Sequence, residues 1–240
     1  TICNKPKAEI MHIFYTPDIQ NSPELPEEET AHAVRVLRLQ PGDEVMLTDG
    51  TGNFYRARIS LIAHKRCLVD IVETVPQPPL WSGHLHIAMA PTKNMDRTEW
   101  FAEKATEIGI DELTFLNCRY SERKVLKTER IAKILVSALK QSLKARLPRL
   151  NEMTDFKTFI QQPFSGQKFI AHCHEGEKTP LKDAVHKGEE VVVLIGPEGD
   201  FSEEEVHLAE EAGFIPVSLG PSRLRTETAA LVACHILNLK

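Results

Sequence analysis

Along its first third the chain carries short apolar-rich runs of strand-forming residues, separated by turn signals. "HIFY" (12–15), "EVMLTD" (44–49), "FYRARISLI" (54–62) and "RCLVDIVETV" (66–75) read as short strands. Pro41-Gly42-Asp43 precedes the second run, and Asp49-Gly50-Thr51-Gly52-Asn53 follows it as a hairpin marker. One stretch breaks the pattern: "EEETAHAVRVLRL" (27–39) places Ala33, Val34, Val36 and Leu37 near helical spacing. Residues 11–75 therefore predict a small, mostly β domain.

In "VPQPPLWSG" (75–83) prolines remove backbone donors and disfavour helix and sheet alike, so a domain boundary is expected there. Beyond it, over residues 80–240, strand-like and helix-like segments take turns. The predicted strands are "HLHIAMA" (84–90), "LTFLN" (113–117), "KFIAH" (168–172), "VVVLI" (191–195) and "IPVSL" (215–219). The predicted helices are "RTEWFAEKATEI" closed by Gly109, a long one from about Thr128 to Leu147 stopped by Pro148, and a short one near "DFKTFIQQ". "EEEVHLAEEA" closed by Gly213 and a final apolar helix from about Glu227 complete the set. Such alternation predicts an α/β domain built on a largely parallel sheet covered on both faces.

Composition narrows the class without choosing a function. Hydrophobic residues make up 42% and charged residues 26%, as in ordinary globular proteins, and no apolar run has the length of a membrane span. The net charge of -5 leaves nucleic-acid binding open, because phosphate contacts need a local basic face rather than a basic total. Five scattered cysteines with no C-x-x-C pair fit reduced thiols and a cytoplasmic setting. Residues 1–10 have no secretory h-region and are expected to be an extension outside the fold.

The candidate chemistry lies in two similar junctions. "VVVLIGPEGDFSEEE" (191–205) runs from a strand through Gly-Pro-Glu-Gly into a helix that Ser202 and Glu205 would cap reciprocally. "IPVSLGPSRLRTETAALV" repeats the strand, the Gly-Pro and the helix, and adds Arg223, Arg225 and Glu227. Parallel strands ending in such loops place both at the carboxyl edge of the sheet, where ligands of open α/β folds bind. Neither G-x-G-x-x-G nor G-x-x-x-x-G-K-[ST] occurs, and Glu198 stands where a phosphate would approach, so a ligand read by backbone amides is favoured over one held by its phosphates. Each arginine is equally explained by an ion pair with Glu198 or Glu227. "HCHEGE" (172–177) has no second cluster at ligand spacing, and no metal site is expected.

Taken in order, "HAVRVLRLQPGDEV", "DGTG", "KNMDRTEWFAEKATEIGI", "ALKQSLKARLP", "LIGPEGDFSEEE" and "LGPSRLRTETA" resemble the RsmE family of small-subunit ribosomal RNA uridine N3-methyltransferases, in the SPOUT superfamily. The resemblance runs from Met11 to the end of the chain. It implies a PUA-like β-barrel followed by an α/β domain threaded as a trefoil knot, S-adenosylmethionine as cofactor, a homodimer, and 16S ribosomal RNA in an assembled or nearly assembled small subunit as partner. It implies a cofactor site at Leu194, Ile195, Gly196, Pro197, Gly199, Leu219, Gly220, Leu224 and Arg225. Position makes Glu198 a candidate proton acceptor, with a contact to the methyl donor's ammonium or a bond to loop backbone as equal alternatives, and Arg225 the candidate stabiliser of the uridinate oxygens or of Glu198's charge. Charge clustering makes Arg35, Arg38, Arg56, Arg58, Arg119, Arg123 and Lys144 the RNA-binding candidates. A knotted RNA-binding protein without activity and a ribose 2'-O-methyltransferase are the alternatives. The chain departs from the family pattern in three places: Asp200 replaces an expected Gly, Lys140 and Lys144 replace Glu and Arg with an ion pair expected lost, and Arg223 follows Ser222 where an arginine then an apolar residue is expected.

Overall fold

The computed structural model describes residues 12–79 and 81–239, so the N-terminal extension expected at residues 1–10 lies outside the described residues. The chain divides into two compact units, one comprising residues up to 79 together with 139–147, the other 80–138 together with 148–240.

The first unit is built on strand β1 (Ile13–Tyr15), helix α1 (Glu27–Ala31), β2 (Glu44–Thr48), β3 (Asn53–Ala63) and β4 (Arg66–Pro76). They form a four-stranded sheet in the order β1-β2-β3-β4, parallel at the first pairing and antiparallel at the other two. Register shifts at Arg56/Ala57 and Ile59/Leu61 bend the long hairpin, as bulges do. Phe14, Leu25, Ala33, Leu47, Ile59 and Val69 fill the core, which accounts for the apolar residues of the strand-forming runs. The predicted helix over 27–39 is shorter than expected: α1 widens into a π turn at His32–Val36, and Arg38 takes a φ of +57°.

The second unit opens with β5 (His84–Met89), α2 (Met95–Ile108), β6 (Glu112–Asn117) and α3 (Thr128–Gln141). It continues through β7 (Arg149–Leu150), β8 (Thr154–Asp155), α4 (Phe156–Ile160), β9 (Gln167–Ala171), β10 (Thr179–Pro180) and α5 (Leu181–Ala184). It closes with β11 (Glu190–Ile195), α6 (Glu203–Glu211), β12 (Ile215–Ser218) and α7 (Thr226–Asn238). The sheet order is β10-β12-β9-β11-β5-β6-β7, with β8 also on β6, and every pairing is parallel. Val191 to Ile195 are all buried, as a strand covered on both faces requires. Asn94 caps α2 and Gly109, at φ +126°, ends it. Phe101, Ala102 and Ala105 of α2 are buried, as are Ala230, Ala233 and Leu237 of α7, the two helices packing against one another.

The long helix expected over 128–147 stops at Gln141 instead. Leu143 turns to φ +55°, and the next residues pair with the β2–β3 turn of the small unit, where Gly52 N–H donates to the Ala145 carbonyl at 2.8 Å and Leu147 N–H to the Gly50 carbonyl at 2.9 Å. A Cβ at Gly52 would lie 2.6 Å from the Arg146 guanidinium, so the "DGTG" glycines serve this close approach as well as the turn. Lys140 lies in the same segment. It makes an ion pair with a partner outside positions 140 and 144, its Nζ 2.5 Å from Oε1 of the buried Glu29.

Candidate active site

β9 lies between β11 and β12, all parallel, so the segments that follow these strands leave the sheet side by side. They enclose a cleft of about 790 Å³. Ile195, Gly196, Pro197 and Glu198 form one wall, the run from Leu219 to Arg225 a second, and Thr226 and Ala229 of α7 close one end.

The first loop is held by short local bonds. Asp200 adopts φ +66°, which an aspartate tolerates better than most residues, and its carboxylate accepts from Cys173 N–H at 2.7 Å and Phe201 N–H at 2.8 Å. A Cβ at Gly196 would sit 3.0 Å from the Phe201 nitrogen, so the tight turn leaves little room for a side chain there. The predicted capping box forms: Glu205 N–H donates to Ser202 Oγ at 3.2 Å and Ser202 N–H to Glu205 Oε2 at 2.8 Å. Glu198 is exposed on the loop, its Oε1 accepting the Lys93 N–H at 2.8 Å.

Two residues expected to hold a cofactor do not line the cleft. Leu194 is fully buried among Ala88, Ile170 and Phe201, because successive strand residues face opposite ways and Ile195 takes the cleft side. Gly199 lies beyond the wall, where a Cβ would meet that of Tyr120 at 3.1 Å. Ile195, Gly196, Pro197, Leu219, Gly220, Leu224 and Arg225 do line it.

In the second loop Gly220 has φ +129°, and Ser218 Oγ accepts its N–H at 3.2 Å. Arg223 and Arg225 are exposed and pair with neither Glu198 nor Glu227. Glu227 is buried instead, 3.9 Å from Arg97 Nε, with Oε2 unpartnered. Arg225 precedes α7, and its carbonyl accepts the Ala229 N–H at 2.7 Å.

The third wall went unassigned in the sequence. Ala171, His172, Cys173 and Lys178 line the cleft between the two Gly-Pro loops. The available signal was "HCHEGE" directly after the strand "KFIAH", at the edge where both loops emerge. Burial first, then the nearby Lys178 and His174, holds the His172 pKa down to about 4, so its ring is neutral near pH 7. His174 Nε2 lies 2.6 Å from the Phe201 carbonyl, and Lys178 donates to the His174 carbonyl. Among the described residues no group of three or more His, Cys, Asp or Glu is placed to hold a metal.

The RNA-binding candidates differ in what they already hold. In the first unit Arg35 and Arg38 are exposed, whereas Arg56 lies 2.9 Å from Glu73 and 3.6 Å from Glu44, and Arg58 is 3.2 Å from Glu44. Half-exposed Lys144 sits past the end of α3, its N–H bonded to the Leu139 carbonyl. In the second unit Arg119 pairs with Glu204 at 3.2 Å. Arg123 Nη2 donates to the Lys93 carbonyl at 2.9 Å, so Arg123 and Glu198 grip the same residue from its two backbone groups.

The small mixed β unit and the parallel α/β unit with its carboxyl-edge cleft correspond to the two domains of an RNA methyltransferase with an accessory PUA domain. The family described as RNA methyltransferase domain matches residues 79–238, and the RNA methyltransferase PUA domain matches 25–72. The chain belongs to this RNA methyltransferase family, in the branch whose members are named ribosomal RNA small subunit methyltransferase E. Its similarity to the Synechocystis protein of that name is 32% identity over 213 residues, covering 85% of this chain and 68% of the relative. The Bacillus subtilis protein of that name is 26% identical over 88% of this chain and 87% of its own length. Among solved structures, a probable rRNA-methyltransferase from Porphyromonas gingivalis is 46% identical, with a TM-score of 0.89 over 93% of this chain and 95% of that one. Ribosomal RNA small subunit methyltransferase E from Neisseria gonorrhoeae, bound to S-adenosyl methionine, superposes with a TM-score of 0.81 at 28% identity over 93% and 95% of the two chains.

Proposed function

We propose that the protein transfers a methyl group from S-adenosylmethionine to N3 of a uridine in 16S ribosomal RNA, acting on an assembled or nearly assembled small ribosomal subunit. The observation that carries this reading is the cleft between two Gly-Pro loops on this family's scaffold. Its volume falls within the range of small-molecule sites, and its lining suits a nucleoside-bearing ligand: apolar Ile195, Val217, Leu219 and Leu224, and a Gly220 whose Cβ position faces open space. Ile195, Gly196, Pro197, Leu219, Gly220, Leu224 and Arg225 would hold the cofactor, which when bound supplies an electrophilic methyl group on a sulfonium.

The chain's own residues have two further tasks. Uridine N3 carries a proton and becomes nucleophilic only as that proton leaves, so an acceptor must stand at the cleft. Glu198 is assigned that role: it is exposed on the loop and held in place by the Lys93 N–H. Arg225, exposed at the start of α7, is assigned to the negative charge that develops on the base oxygens. The target base must leave its stack to reach the cleft, while Arg35, Arg38, Arg56, Arg58, Arg119, Arg123 and Lys144 are assigned to RNA phosphates, those already held by carboxylates or backbone exchanging that partner for phosphate. The trefoil threading, the homodimer and a cytoplasmic location belong to the same proposal and rest on the family resemblance.

The test is nucleoside mass spectrometry of 16S ribosomal RNA from cells with and without the gene. Loss of 3-methyluridine on deletion, restored by the wild-type chain but not by Glu198→Gln, is expected. Unchanged 3-methyluridine in the deletion strain refutes the assignment.

A further inference from the structure

His172 is the first residue after β9, at the floor of the cleft between the two Gly-Pro loops. Both of its ring nitrogens are shut off from solvent and have no hydrogen-bond partner. Of the side chains with a solvent-shielded, unpartnered polar atom among the described residues, half-buried His172 alone lines the cleft. Its polar neighbours are committed elsewhere: Asp200 to the Cys173 and Phe201 amides, His174 to the Phe201 carbonyl, Lys178 to the His174 carbonyl. The His174 ring, with centroid 5.5 Å away, packs against it without bonding to it.

A buried donor and acceptor left unmade are costly to the fold, and natural structures keep such groups where something else uses them. The ring is neutral near pH 7, so it offers one N–H and one lone pair on opposite sides of the imidazole. That geometry cannot pair bidentately with a base edge, whose donor and acceptor are adjacent, so a base would engage at most one nitrogen. A hydroxyl, which donates and accepts at a single oxygen, can meet either nitrogen. The second torsion of a histidine is soft, so a small ring rotation brings a nitrogen to the surface that the ring already lines. We infer that His172 is a specificity-determining residue of the cleft, hydrogen-bonding a ribose hydroxyl of the bound cofactor. This rests on the cofactor reading given above.

The experiment uses the full chain with His172→Phe and His172→Gln. Calorimetric titration is made with S-adenosylhomocysteine, 5'-methylthioadenosine and the 2',3'-dideoxy form of the latter. Wild-type protein is expected to bind the dideoxy analogue about 10-fold more weakly than its parent, and His172→Phe to bind the parent about 10-fold more weakly than wild type does, the value of one net hydrogen bond. The two losses are expected not to multiply, because both remove the same bond. His172→Gln, which keeps a donor and an acceptor, is expected to recover part of the affinity. Ligand-free His172→Phe is expected to melt no lower than wild type, since it discards two unpaired buried groups. A side chain with a merely structural role would lower that melting temperature, and this outcome overturns the inference. Losses that multiply, or unchanged affinity in His172→Phe, overturn it too. If wild-type protein binds neither S-adenosylhomocysteine nor 5'-methylthioadenosine, the cofactor reading itself fails, and the inference with it.

Discussion

Asp200 offers a way to separate two forces in the loop that forms one wall of the cleft. Its backbone sits at φ +66°, and its carboxylate ties two backbone amides, one of them across to Cys173 after β9. Asp200→Ala removes both bonds and leaves a Cβ in the left-handed region without a side chain to favour it. The bonds are charge-assisted but partly solvated, so together they are worth about 2 kcal/mol. The backbone conformation adds about 1 kcal/mol for alanine. Asp200→Gly loses the same bonds but not the conformational term, and glycine's greater freedom in the unfolded chain offsets part of that gain, so it should be about 0.5 kcal/mol more stable than the alanine variant. Asp200→Asn keeps one acceptor and the tolerance for positive φ and should be the mildest of the three. Urea unfolding followed by circular dichroism reads these differences through the midpoint at constant slope. Equal stability of the alanine and glycine variants would refute the backbone part of the reasoning, and a glycine variant as stable as wild type would refute the hydrogen-bond part.

Three other outcomes are expected. Cys173 is exposed at the cleft while Cys67, Cys118 and Cys234 are buried, so alkylation followed by peptide mass spectrometry should label Cys173 well ahead of those three, and S-adenosylhomocysteine should slow that labelling. Lys140→Ala leaves the buried Glu29 carboxylate without its cation and should cost about 2–3 kcal/mol in chemical unfolding, with much of the loss recovered when Glu29→Gln is added. His84 Nε2 lies 2.9 Å from Glu112 Oε2, and the hydrogen bond from His84, joined by one from Asn151, holds the Glu112 pKa down to about 2. A depressed carboxylate stabilises the fold above its unfolded pKa of 4.5, so this contribution should be lost as pH falls from about 4.5 toward 2. The His84 pKa is raised, chiefly by the same bond, so its contribution is complete below 6.5 and fades as pH climbs through the folded value. In Glu112→Gln the acid-side trend should vanish and the His84 trend should shrink, the charges of Asp111 and Glu190 still raising the His84 pKa.

The Gly-Pro-Glu-Gly stretch illustrates how far local sequence reaches. Ser202 and Glu205 are three residues apart, and a capping box needs only those two residues at that spacing, so the start of α6 was legible without any tertiary information. Alternation in "FYRARISLI" and the unbroken run "VVVLI" likewise follow from burial on one face or on two. The end of α3 was not legible, because helical propensity continues through "SLKAR" and is overridden by the β2–β3 turn, about ninety positions earlier in the chain. Local chemistry likewise pointed Arg56 and Arg58 toward RNA, whereas cross-strand neighbours pair them with Glu44 and Glu73.

By itself the sequence determined the longer strands, most of the helices and the two loops, because composition, caps and turn residues act over a few positions, whereas the two-residue strands β7, β8 and β10 were not legible in it. Only the tertiary structure decided that β9 runs between β11 and β12, since strand order depends on packing between distant segments. That order places His172, at the head of "HCHEGE", between the Gly-Pro loops, and turns Leu194 into the core while Ile195 faces the cleft.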